Sequence, residues 1–146
     1  MGNGGSFSDA LHIAGEFVGR FGHDRPALRA VALGANPAST TAIGNDYGYA
    51  SIFAREVDAL VAEGDVVIGL STSGKSPNVL AAIERARHRR AHVLGWTGKH
   101  RDTPLAKVCD LVLHVPATTS WRIQECHICV GHILAAAVEE ALHPKV

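Results

Sequence analysis

"GLSTSGKS" (Gly69–Ser76) follows the apolar run "DVVI" and leads into "PNVLAAIERARHRR". An apolar run, a Gly/Ser loop and a helical period, in that order, predict a strand over 65–71, a turn, and a helix over 76–90. The loop then lies at the carboxyl end of the strand, where α/β folds bind ligands. The helix ends in "ARHRR", cationic groups that suit its C-terminal dipole. The eight letters also satisfy G-x-x-x-x-G-K-[ST], the phosphate-binding loop of nucleotide hydrolases. Three readings are open: a nucleotide site, a site for a phosphate monoester, and an ordinary serine-rich turn.

Working outward, the same alternation continues. Apolar residues at helical spacing (Phe7, Leu11, Ala14, Phe17, Phe21) predict a helix over 7–21. "RAVALG" (29–34) reads as a short buried strand. "DYGYASIFAREVDALVAEG" (46–64) reads as a helix closed by Gly64. "AHVLGWTG" (91–98) and "DLVLHVP" (110–116) read as strands, the second stopped by Pro116, and 120–142 as one long final helix. Strands joined by helical crossovers predict one domain over 1–146: a three-layer α/β sandwich, a parallel sheet with helices on both faces, flavodoxin-like. "ALGANPAST", "GLSTSGKSPN", "GWTGKH" and "VPATTS" all fall at the carboxyl ends of the strands. The Gly-rich "GNGGS" (2–6) has no predicted strand ahead of it.

Composition removes several function classes. The 146 residues carry 14 Lys plus Arg and 14 Asp plus Glu, a formal net charge of zero. No basic surplus points to nucleic acid, so any anion site is local. No apolar run approaches the roughly 18 residues of a membrane span, and "MGNGGSFSD" has no signal-peptide pattern. "MGNGGS" satisfies only the minimal, permissive pattern for N-myristoylation. Cys126 and Cys129 form C-x-x-C inside a helical stretch and read as two small packed residues of a reduced, cytoplasmic protein.

Three features set the loop apart from a nucleotide site. Pro77 follows Ser76 at once, so Ser76 reads as N-cap and the helix starts after the Lys instead of at it. Four hydroxyls (Ser71, Thr72, Ser73, Ser76) suit a phosphate monoester held without magnesium. No second strand ends in an exposed Asp, since Asp110 begins its strand.

"GNGGSFSDALHIAGEF", "TAIGNDYGY", "STSGKSPNVLAAI" and "RIQECHICVGHIL", in that order, resemble the sugar isomerase (SIS) family. The likeness is greatest to its phosphoheptose isomerases and runs from Gly2 to about Glu140. It implies that Ser6, Ser71, Thr72, Ser73 and Ser76 hold the phosphate of an open-chain sugar. It places Asn3, Gly4, Gly5, Asn45, Asp46 and Gln124 near substrate. It makes His12, Glu16, Gln124 and His132 the ligands of one metal ion per subunit, usually zinc and replaceable by other divalent ions, with Glu16 and His132 as the acid–base pair. The residues agree with this: His12 and Glu16 are i, i+4 on one helix face, and Gln124 and His132 lie two turns apart on another. His127 is a competing candidate, taken as a supporting or structural residue.

The implied reaction is aldose–ketose isomerisation through an enediol. The partners implied are a sugar phosphate and further copies of the chain, a tetramer with active sites at its interfaces, with no nucleic acid and no membrane. Family members begin with a long helix and a strand ahead of "GNGGS", so both are expected to be missing here. The family also contains a non-catalytic regulator of replication initiation that acts on a protein partner, and a sugar-phosphate-sensing module is a further alternative. The complete quartet favours the enzyme.

Overall fold

The computed structural model describes residues 1–145. Helix α1 (Gly5–Val18) is followed by α2 (Pro37–Tyr47), a 3-10 turn (Tyr49–Ser51) and α3 (Ile52–Leu60). Then come β1 (Val66–Leu70), α4 (Pro77–His88), β2 (His92–Thr97), α5 (Pro104–Val108), β3 (Leu111–His114) and α6 (Ser120–Leu142). The three strands pair in parallel in the order β1-β2-β3, with Val67 beside Val93 and Gly95 beside Val112.

Side chains alternate across a strand, and here the alternation separates two cores. Val67 and Val93 pack with Phe53, Val57, Val79, Ile83 and Leu105 from α3, α4 and α5. Leu70 and Trp96 pack on the opposite face with Ile13 and Phe17 of α1 and Leu134 of α6. The result is the expected three-layer α/β sandwich.

The expected strand over 29–34 does not form. A groove of about 700 Å³, lined by Ala27–Val31 on one side and Asp65–Ile68 on the other, separates this stretch from β1. Without a neighbour at hydrogen-bonding distance an apolar run cannot enter the ladder. The open edge of β1 is met instead by the first two residues. The Leu70 N–H donates to the Met1 carbonyl (2.8 Å), the Met1 amino group donates to the Ile68 carbonyl (3.0 Å), and Gly2 bridges Leu70 in parallel. "GNGGS" is therefore aimed by a short parallel pairing.

Other boundaries differ as well. The predicted helix 7–21 stops at Val18, where Gly19 caps it. The predicted helix 46–64 is two helices, broken at Gly48, whose φ of 83° no helix continues through. The first of them starts early, because Asn36 caps it by accepting from the N–H groups of Ala38 and Ser39. Gly64 sits in the turn into β1, not at the end of α3. Helix α5 is short and was not expected; the Thr103 hydroxyl caps it by accepting from the Ala106 N–H (3.2 Å).

Ile83 is fully buried between α4 and the sheet, whereas Leu111 on the edge strand is 65 % exposed. Ile83→Ala should therefore lower unfolding free energy by about 2–5 kcal/mol. Leu111→Ala should change it by less than about 0.5 kcal/mol. Urea denaturation of the two variants checks the contrast.

Candidate active site

Helices α1 and α6 lie side by side and run in the same direction: Ser6 meets Gln124, Ile13 meets Gly131, and His12 meets His132. Two glycines permit the close approach. A Cβ on Gly131 would sit 2.6 Å from the side chain of Ile13, and one on Gly5 would sit 2.6 Å from the Gln124 amide. With hydrogens at these places the helices come close enough for polar groups on their rims to touch.

His12, Glu16 and His132 converge there. His12 Nε2 lies 3.0 Å from Glu16 Oε1 and 3.3 Å from His132 Nε2. One donor atom from each of the three lies within 4.8 Å of the others. The two imidazoles meet edge to face at 5.0 Å, and the ring of Phe21 packs on His132 at 5.6 Å. Two ring nitrogens and a carboxylate oxygen form the donor set of a catalytic zinc site, which keeps a position open for substrate. Ligands around tetrahedral zinc stand about 3.4 Å apart, close to the His12–Glu16 and His12–His132 separations, so the trio fits such an ion. Gln124 lies eight residues before His132, about 12 Å along the helix axis. Its Nε2 donates to the Ser6 hydroxyl (3.3 Å), so its amide stands at the other end of the helix contact.

The serine loop sits at the end of β1, as its sequence predicts. Ser71 is buried, and its Oγ is 2.9 Å from Ser76 Oγ. Ser73 Oγ accepts from the Lys75 N–H, and Thr72 Oγ1 meets Ser120 Oγ at 3.4 Å. Helix α4 begins at Pro77 with Ser76 as N-cap, leaving Lys75 outside it. The Ser76 hydroxyl makes no capping bond. A cavity of about 340 Å³ opens beside the loop, lined by Thr72, Ser73, Lys75, Lys99, His100 and Ser120 among others. Lys99, His100 and Ser120 had no individual signal in the sequence beyond lying in loops at strand ends.

Asn3 serves the scaffold. It exchanges two amide hydrogen bonds with buried Asn78 (2.9 and 2.8 Å) and accepts from the Tyr49 hydroxyl (2.9 Å). This joins the "GNGGS" segment to the start of α4. Gly4 takes φ 55° as N-cap of α1, and Gly5 is its first residue. Asn45 and Asp46 are exposed near the end of α2, with Asn45 donating to Asp46 (2.8 Å). Among the described residues, no recorded side-chain hydrogen bond or salt bridge ties them to the loop or to the trio.

Cys126 and Cys129 are free thiols and exposed, not packed as expected. The buried stripe of α6 runs Ile123, His127, Gly131, Ala135, Glu139, a four-residue spacing that leaves both cysteines to one side. His127 is fully buried against Trp96 (5.8 Å between rings), and neither ring nitrogen has a hydrogen-bond partner among the described residues.

Fold and site together define an α/β domain with a hydroxyl loop at the strand ends and a metal-competent trio on paired helices. The SIS domain family matches residues 1–98. "Phosphoheptose isomerase" of Burkholderia pseudomallei (strain K96243) is 53 % identical over 144 residues, covering 99 % of this chain and 73 % of that protein. The structure of a phosphoheptose isomerase from Francisella tularensis superposes with a TM-score of 0.90 at 36 % identity, covering 95 % of this chain and 74 % of that one. The phosphoheptose isomerase structure from Neisseria gonorrhoeae gives 0.88 at 40 % identity, covering 96 % and 74 %. The chain belongs to the SIS domain family, among the phosphoheptose isomerases.

Burial pushes the His127 imidazole down to about 4 from its ordinary 6.5. The unfolded chain takes up a proton near pH 6.5 while the native state does not until about pH 4. Stability therefore falls as pH drops through that window and is fully retained above it. His127→Leu should flatten this dependence, so urea midpoints of wild type and variant should draw together, or cross, between pH 7.5 and 4.5.

Proposed function

We propose that this chain is an aldose–ketose isomerase that converts sedoheptulose 7-phosphate to D-glycero-D-manno-heptose 7-phosphate through an enediol. The observation that carries the reading is the convergence of His12, Glu16 and His132 on paired helices. The identity to proteins named phosphoheptose isomerase supports the choice of substrate.

Ser6, Ser71, Thr72, Ser73 and Ser76 hold the phosphate, with Gln124 tied to Ser6. Asn3, Gly4 and Gly5 shape the floor of the site, and Asn45 and Asp46 approach the sugar. The Glu16 carboxylate removes the proton from the carbon beside the carbonyl. The electron pair moves into the new C=C bond, and the carbonyl oxygen takes a proton from His132. In the second half the other hydroxyl of the enediol gives its proton to His132 as its oxygen becomes the new carbonyl, and Glu16 returns its proton to the former carbonyl carbon, which gives the isomer and restores both groups. His12, Glu16 and His132 would hold a zinc ion, or another divalent ion in its place, with Gln124 as a further ligand only once its amide turns from Ser6 toward the trio; the ion would polarise the carbonyl and stabilise negative charge on oxygen. Glu16 then has two duties and must loosen from the ion to act as base.

Among the described residues no helix is long and apolar enough to cross a membrane. We place the enzyme in the cytoplasm as a homotetramer acting on a small sugar phosphate.

The test is conversion of sedoheptulose 7-phosphate by purified protein with and without Zn²⁺, beside an ATP-hydrolysis control. Wild type should form the aldoheptose phosphate, and Glu16→Gln should lose roughly 10²–10⁴-fold in kcat. ATP hydrolysis, or no turnover in a folded tetramer, would sink the reading.

Among the described residues the Ser73 side chain has one recorded hydrogen bond, accepted from the Lys75 N–H, so Ser73→Ala should keep the fold. A lost hydrogen bond to a charged phosphate should raise KM roughly tenfold or more, with little change in kcat.

A further inference from the structure

We infer that Glu139 and Arg25 form a clamp that positions the His12–Glu16–His132 site. The inference rests on the reading of that trio as a metal site. Glu139 lies on α6 seven residues, or two turns, beyond His132, on the same face of the helix. Its side chain is 3 % exposed and that of Arg25 is 2 % exposed. The carboxylate accepts from the backbone N–H groups of Phe21 (2.9 Å), Gly22 (2.6 Å) and His23 (3.3 Å), and from Arg25 Nε (2.8 Å). Burial pushes this carboxyl up, but the backbone donors and the guanidinium outweigh it and hold it down at about 2. It stays charged across the working pH range.

The rest of the guanidinium reaches α1. Arg25 Nη2 donates to the Glu16 carbonyl (2.9 Å) and Nη1 to the Phe17 carbonyl (2.9 Å). These are carbonyls at the end of α1 that lack helical partners. The clamp therefore reaches two of the three members of the site, Glu16 directly at its backbone and His132 through Phe21. It fixes the backbone of Glu16 through Arg25. It also fixes Phe21, whose N–H bonds Glu139 and whose ring packs on His132. Groups that orient metal ligands from behind commonly set affinity within a factor of 10–100.

The test is Co²⁺ titration of the whole metal-free chain, read by visible absorption and a competing chelator, well below the unfolding temperature. Wild type should bind one equivalent, and His132→Ala should lose it. Glu139→Gln should weaken binding about 10–100-fold and alter the absorption bands. Ile83→Val, a core loss remote from the site, should lower stability and leave affinity unchanged. Should Glu139→Gln not fold, Phe21→Leu keeps the ion pair, removes the ring from His132, and should still shift the bands and weaken binding at least about threefold. Wild-type affinity and spectrum in the folded variants would overturn the clamp and leave the metal site standing. No Co²⁺ binding by wild type, or unchanged binding by His132→Ala, would overturn the metal reading and the clamp with it.

Discussion

The contact between Ile13 and Gly131 is the constraint on which the site depends. It lets α1 and α6, more than a hundred residues apart in sequence, approach where no side chain fits between them. Interiors pack at crystal-like density, so a single methyl at such a point must displace backbone or a neighbour. His132 immediately follows Gly131, and His12 immediately precedes Ile13. The residues at the point of closest packing are thus chain neighbours of the residues that meet at the rim. Packing and chemistry are set by one geometry.

The sheet plays the complementary part. β1 carries the serine loop at its end, packs α4 on one face and α1 on the other, and takes Met1 and Gly2 along its edge. The "GNGGS" segment leaves that edge pairing directly into α1. The reciprocal amide pair of Asn3 and Asn78 then ties the start of α1 to the start of α4. Two helix N-termini and two polar segments are held in register by one strand.

Legibility in the sequence followed the range of the interactions. The strand–loop–helix at 65–90 was readable because each signal is local: an apolar run, a Gly/Ser loop, and Pro77 after Ser76. That the helix would start beyond Lys75 followed from Pro77 alone. The stretch 29–34 has the same apolar composition as a strand, yet pairing needs a neighbour at the right distance, and composition does not report that. Helix α2 was hidden because Asn36 and Pro37 also read as turn residues, and Gly48 is one glycine among several. The grouping of His12 and Glu16 with His132 was legible as a resemblance plus an i, i+4 pair, while the close packing of α1 on α6 at Gly5 and Gly131 that brings them together was not. Arg25 and Glu139 gave no signal at all: their partners are mostly backbone groups, and backbone leaves no trace in composition. Cys126 and Cys129 failed for a different reason, since a helix with apolar residues around much of its circumference does not announce which face is buried.

The α1–α6 contact also separates two kinds of work along one axis. At its start, Ser6 and Gln124 meet as neutral hydrogen-bonding groups beside the end of β1, where the loop hydroxyls stand. Further along, His12, Glu16 and His132 meet as titratable groups. The two ends are about 9 Å apart on α1 and about 12 Å apart on α6. On the proposed reading this spacing keeps the phosphate, which is bound equally before and after reaction, away from the carbons whose protons move. Binding at the neutral end then contributes to orientation, while groups at the other end can respond to charge that develops only during reaction.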